Sequence, residues 1–251
     1  MLIDCGHNTS TGWRPSKHLF GEGIHTVEMF VVTNCDEDHV SDLPNLRQTL
    51  RGRQVIHLMS LLRNKTISSQ ALKEMKKDGG MGDGIREFVS MINEYTGGPY
   101  AVDWGAMSYK VFYNEYPDHF DNSTNNLSLV IFLHCYGLHI IFPGDLEEVG
   151  WKRLLKSSAF VEELETVNVF VASHHGRESG CCEEVFQIAK PEIAIFSDAG
   201  IQYDTQNTVS WYKERCGGIE YNGEQRYVFT TRNDGKITLD ARPERTFIRT
   251  A

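Results

Sequence analysis

Thr33-Asn34-Cys35-Asp36-Glu37-Asp38-His39 closes an apolar run that extends from Val27 to Val32. Three carboxylates and an imidazole fall between Asp36 and His39. Carboxylates this close repel one another, and a bound cation is the usual remedy. The same residues also read as an acidic turn capping a helix over 42–50, where Asp and Asn are favoured. An EF-hand loop is excluded: its sixth position calls for Gly and holds His39, and its twelfth calls for Glu and holds Asn45. Histidine beside carboxylates points instead to a transition metal such as zinc or manganese.

Two later clusters repeat the pattern of polar residues placed just past an apolar run. Pro143-Gly144-Asp145 follows Ile140-Ile141-Phe142, and Ser173-His174-His175-Gly176 follows Val169-Phe170-Val171-Ala172. Strand ends are where folds assemble sites. Short runs rich in Val, Ile and Phe predict strands over 2–5, 27–33, 54–58, 109–113, 127–135, 138–142, 167–172, 193–197, 227–231 and 236–239. Tyr136-Gly137 predicts a hairpin turn between two of them. Helices are expected over 42–50, 69–77, 83–95, 147–156, 159–164, 183–189 and 206–216. Ile85, Phe88, Val89 and Ile92 form an apolar stripe at helical spacing. The segment 69–98, broken by Gly79-Gly80-Met81-Gly82 and Gly97-Gly98, reads as a helical insertion over one face, either a lid or a surface hairpin without a role. Alternating strands and helices indicate α+β or α/β packing in one domain over 1–251.

The chain has 251 residues, enough for a substantial core. Its net charge of -9, from 34 acidic and 25 basic residues, argues against a broad basic surface that coats nucleic acid. It leaves room for a nuclease whose metal meets the phosphate locally. No apolar run is long enough to span a membrane, and Met1-Leu2-Ile3 opens without a secretory leader. Six cysteines at 5, 35, 135, 181, 182 and 216 form no CxxC pair, which suits free thiols in a reducing cytoplasm.

Taken in order, these clusters resemble the metallo-β-lactamase superfamily, and most closely the soluble domain of ComEC-type competence proteins. Leu2-Ile3-Asp4-Cys5-Gly6 resembles an early strand ending in Asp-x-Gly. Gly23 to Leu46 resembles the strand, metal loop and helix. Asn125 to Val130 and Phe142-Pro143-Gly144-Asp145 resemble the strand pair ending in Gly-Asp. Ser173-His174-His175-Gly176 and Lys190 to Ser197 follow in the same order. The resemblance implies a four-layer αββα sandwich with one or two divalent metal ions, Mn or Zn, in a cleft, and water activated by metal attacking a phosphorus or carbonyl centre. It maps Asp36, Asp38, His39, Asp145 and His174 onto metal positions, His174 being preferred to His175. Asn34 replaces the loop's first histidine and is left as a weak ligand. The late histidine expected after 193–197 is absent, and Tyr203-Asp204-Thr205 occupies that region. An oxygen-rich set of this kind favours manganese over zinc.

The resulting expectation is a metal-dependent phosphodiesterase acting on a nucleotide or nucleic acid. Asp38 would also orient the attacking water, and His175 would give a proton to the leaving oxygen. His119 lies where many family members place a further ligand. The rival expectation is a degenerate module that binds a protein partner without catalysis. Family members carry a strand hairpin before the Asp-x-Gly strand, so the chain is expected to lack its N-terminus or to belong to a larger parent chain.

Overall fold

Along the strand Ile193–Phe196, alternate residues enter two separate apolar cores: Ile193 and Ile195 one, Ala194 and Phe196 the other. Val169 and Phe170 divide in the same way, as do Ile140 and Ile141. A strand buried on both faces has no polar side to present, and this is why these segments read as unbroken apolar runs.

A computed structural model of the chain describes residues 1–198 and 206–251. They form a mixed α/β fold of two compact units, Met1–Asp103 with Glu115–Leu129, and Trp104–Asn114 with Val130–Ala251. The second unit is built on a six-stranded mixed sheet. Its order is Val228–Thr230, Ile193–Phe196, Val169–Val171, Leu138–Phe142, Leu129–Cys135 and Met107–Tyr113. The strands from Val228–Thr230 through Leu138–Phe142 are parallel, and Leu138–Phe142 pairs antiparallel with Leu129–Cys135 across the expected Tyr136-Gly137 turn. On one face Trp151, Phe160, Phe186 and Tyr212 pack against Phe132, Phe170 and Phe196. Each large side chain fully buried there contributes about 1.5–3 kcal/mol. The other face receives Ile237, Leu239 and Ile248 from the hairpin Ile237–Ala241/Thr246–Thr250. The second strand of that hairpin was not anticipated, because Arg249 and the flanking threonines dilute its apolar content.

The first unit contains a three-stranded parallel sheet in the order Leu2–Ile3, Phe30–Val31, Leu61–Leu62. The run expected as one strand over 27–33 is divided. Thr26–Val27 pairs with His57–Leu58, while Phe30–Val31 pairs with the other two strands. The helix expected over 42–50 spans only Leu43–Leu46, and Thr49–Leu50 turns back through Arg51 and Gly52, both at positive φ, to pair with Arg53–Gln54.

The segment 69–98, expected as a helical insertion, contributes buried residues to the core of the first unit. Helix Asp83–Glu94 buries Ile85, Phe88, Val89, Met91 and Ile92. Helix Ser69–Met75 buries Leu72 and is capped by Ser68, whose hydroxyl accepts from the Ala71 amide at 3.0 Å. A Cβ at Gly84 would lie 2.4 Å from the Val40 carbonyl oxygen, so the longer helix meets helix Glu37–Val40 backbone to backbone. A lid would have to expose this stripe each time it opened, at the hydrophobic cost of the buried side chains.

Candidate metal-binding residues

In the first unit the metal loop is organised by Asp4, just past Leu2–Ile3, in the left-handed region at φ 56°. Its carboxylate accepts from the Thr33 amide at 2.8 Å, the Thr33 hydroxyl at 2.5 Å and His39 Nδ1 at 2.8 Å. An ionised carboxylate only accepts hydrogen bonds, so Nδ1 of His39 carries the proton and Nε2 keeps its lone pair. This carboxylate–histidine pairing is the arrangement that fixes a metal-ligating imidazole. Gly6 completes the loop: a Cβ there would lie 1.8 Å from the Asp38 carbonyl oxygen. Asp38 is exposed, and a carboxylate oxygen of Asp38 lies within 4.8 Å of a ring nitrogen of the buried His39.

The other loop residues face different partners. Glu37 accepts from the Gly84 and Ile85 amides at 2.9 and 3.0 Å, capping helix Asp83–Glu94 where the helix dipole favours an anion. Asp36 Oδ1 pairs with the Lys76 ammonium and accepts from the Thr124 hydroxyl at 2.8 Å. Asn34 is buried. Its Oδ1 accepts from the Asp36 amide and its Nδ2 donates to Asn125 Oδ1, both at 3.0 Å. Asn34 therefore supports an Asx turn rather than a helix cap. His119 uses Nδ1 to accept from the Glu115 amide at 3.0 Å.

In the second unit Asp145 is buried after Pro143 and Gly144, the latter at φ 59°. His174 and His175 follow Val169–Val171 with φ of 52° and 54°, before Gly176 at φ 80°. Each non-glycine residue held in this region costs about 1–3 kcal/mol. Surrounding bonds hold the strained turn: the His174 amide donates to the Gly144 carbonyl at 3.0 Å, and the Ser173 hydroxyl donates to the Leu146 carbonyl at 2.5 Å. A Cβ on Gly176 would lie 2.1 Å from the Phe196 ring, so no other residue fits there.

The turn aims both imidazoles at Asp145. His175 Nε2 lies 3.5 Å from Oδ1, and His174 Nε2 lies 3.9 Å from Oδ2. His175 Nδ1 donates to the Ser197 carbonyl at 2.8 Å, an acceptor only, so its Nε2 keeps the lone pair. His174 Nδ1 meets the Ser179 hydroxyl at 2.9 Å, which can donate or accept and fixes no tautomer. Burial pushes the His174 pKa below its ordinary value, with the Asp145 carboxylate opposing that shift.

Sequence reading missed three residues of these surroundings: Asp4, Lys76 and Asp198. Asp4 was quoted in its motif but given no role. Asp198 follows Ser197, and its carboxylate accepts from the Arg232 amide and pairs with the Arg232 guanidinium, both at 3.1 Å. Asp204 lies outside the described residues. The six cysteines are free, and burial pushes the Cys35 thiol, inside the loop, up to about 12. Among the described residues no helix is long and apolar enough to cross a membrane.

No family model matches the chain. It is similar to "ComE operon protein 3" of Bacillus subtilis, 26% identical over 212 residues, which cover 78% of this chain and 25% of that protein. The chain thus spans about a quarter of the length of the curated relative it matches. A solved structure from Parabacteroides distasonis, whose assignment as a metal-dependent hydrolase is itself provisional, aligns with a TM-score of 0.40 at 9% identity, over 83% of this chain and 78% of that one.

Proposed function

We propose that the protein is a divalent-metal-dependent hydrolase of the metallo-β-lactamase type, with Asp38 and His39 in the first unit and Asp145 and His175 in the second as metal-binding residues. One observation carries this reading: His39 and His175 each donate from Nδ1 to a partner that can only accept, and so keep the Nε2 lone pair for a metal, with an aspartate of the same unit close by. Two imidazoles and two carboxylates suit manganese or zinc. The partial likeness to ComE operon protein 3 supports the family, and the four-layer αββα arrangement belongs to the same reading.

A divalent ion held by these residues supplies Lewis acidity and lowers the pKa of a water molecule. The chain's own residues do the rest. Asp4 and the Ser197 carbonyl hold the imidazoles in one tautomer and one orientation. Asp38, exposed, orients the attacking water. His174 stands beside the same carboxylate as His175, that of Asp145, its Nε2 3.9 Å from Oδ2, and is anchored through Nδ1 by the Ser179 hydroxyl. The hydrogen bonds thus favour His175 over His174 as the ligand, where the sequence favoured His174 as ligand and His175 as proton donor. A phosphodiester of a nucleotide or a single-strand end is the substrate class that suits a chain of net charge -9, since long duplex demands a broad basic surface.

The test is turnover of bis-(p-nitrophenyl) phosphate after chelation and metal add-back. Activity should vanish on chelation and return with manganese or zinc. Unchanged turnover in chelator would contradict the metal reading, and none with any divalent metal would leave the partner-binding module in its place.

A further inference from the structure

Asp36, Glu37 and Asp38 stand side by side, yet their charges are answered separately. Glu37 caps helix Asp83–Glu94 through the Gly84 and Ile85 amides. Asp36 takes the Lys76 ammonium on Oδ1, the same oxygen that accepts from Thr124. Lys76 also donates to the Thr124 hydroxyl at 3.1 Å, closing a triangle of ammonium, hydroxyl and carboxylate. Both partners are largely shielded, with 17% of the Lys76 side chain and 31% of the Asp36 side chain exposed, so the pair is weakly screened by solvent. The adjoining Asn125 holds Asn34 by its amide, and the Asn34 carbonyl oxygen is engaged by the Asp36 amide.

We propose that Lys76 takes the place of a second metal ion, so that the protein loads a single divalent ion rather than a pair. The inference rests on the metal-dependent reading above and narrows it. With Asp38 and His39 assigned to the first ion, a second would have to draw on Asn34 and Asp36, the loop's remaining donors. A divalent ion on Asp36 would share a carboxylate with an ammonium, and two cations that close repel. An amide in place of imidazole at position 34 removes the strongest transition-metal donor that could have offset this repulsion. The lysine comes from the end of helix Ser69–Met75, so the helical segment supplies charge as well as core.

The test is manganese titration of the chelated full chain by calorimetry, with electron paramagnetic resonance of the loaded protein. Wild type is expected to take up a single equivalent with the signal of an isolated ion, and Lys76→Arg to do the same. Asp36→Asn should keep that equivalent with affinity changed by less than about tenfold, because Asp36 ligates nothing. Lys76→Met combined with Asn34→His should admit a second equivalent and produce the coupled signal of paired ions. A second equivalent in the wild type would overturn the inference and leave the hydrolase reading intact. So would loss of metal in Asp36→Asn, or a single equivalent in the folded double variant; the Asp36→Asn result stands even if the double variant does not fold. No metal uptake by the wild type would overturn the metal reading itself and this inference with it.

Discussion

The Asp4 carboxylate holds His39 by Nδ1 at 2.8 Å and, with two further bonds, ties down Thr33, so a single side chain fixes both ends of the loop from 33 to 39. The bond is made across 35 residues of sequence, between a strand end and a four-residue helix. It makes Asp4 a positioning residue rather than a ligand.

Asp4→Asn should therefore lower metal affinity roughly 10–100-fold, the usual cost of losing a carboxylate behind a ligating histidine. Asparagine tolerates the positive φ found at this position, so the backbone should survive the change. Calorimetric metal titration beside a thermal melt separates the two effects. Wild-type affinity in a folded Asp4→Asn protein would remove Asp4 from the account.

The paired histidines offer a sharper discrimination. His175→Gln should lose metal and turnover together, since it deletes the nitrogen presented beside Asp145. His174→Gln should lower metal affinity by only about tenfold, the low end of the cost for a group behind a ligand, and lose turnover only in part. Metal content and phosphodiesterase rate of both variants decide, and the reverse pattern would restore the assignment favoured by sequence.

Glu37→Ala probes the helix cap without touching the proposed ligands. Removing the anion that caps helix Asp83–Glu94 should cost about 1 kcal/mol, measured by denaturant unfolding, while metal affinity stays near wild type. Loss of metal with unchanged stability would make Glu37 a ligand instead.

The pH dependence of stability has a traceable contributor away from the site. His139 pairs across the hairpin with His134, their Nδ1 atoms 3.2 Å apart, and His134 Nε2 meets Glu163, which also pairs with Lys110. Burial, then His134, depress the His139 pKa below 6.5, with Glu163 opposing. A depressed folded pKa means that the unfolded chain takes up the proton first, so this contribution is whole above 6.5 and is lost as pH falls toward the folded value. Thermal melts should show a drop in Tm below pH 6.5 that is smaller in His139→Asn. A drop of equal size in the variant would exclude this histidine as a source.

Much of the fold was legible because alternation and unbroken apolar runs report directly on sheet burial. The hairpin at Tyr136-Gly137 and the strand ends carrying Asp145 and His174 follow from that signal alone. Boundaries were less legible where partners divide a run, as at 26–31, since pairing is set by distant strands rather than by local composition. The role of the helical segment was hidden for a similar reason. An amphipathic stripe says that a face is buried, not against what. The crowded carboxylates were read as calling for a cation. Lys76 answers Asp36 and a helix N-terminus answers Glu37, both from within the chain. Neither partner is near in sequence, so no local motif could have revealed them. Asp4 was the nearest miss: its motif was noticed, but its bond to His39 exists only in three dimensions.

The central claim is that Asp38 and His39 in the first unit, and Asp145 and His175 in the second, bind metal. Manganese titration of Asp38→Asn and of Asp145→Asn, each compared with wild type, tests it most directly. Each change removes a ligand and should weaken binding at least about tenfold. Wild-type affinity in either variant would contradict the ligand assignment.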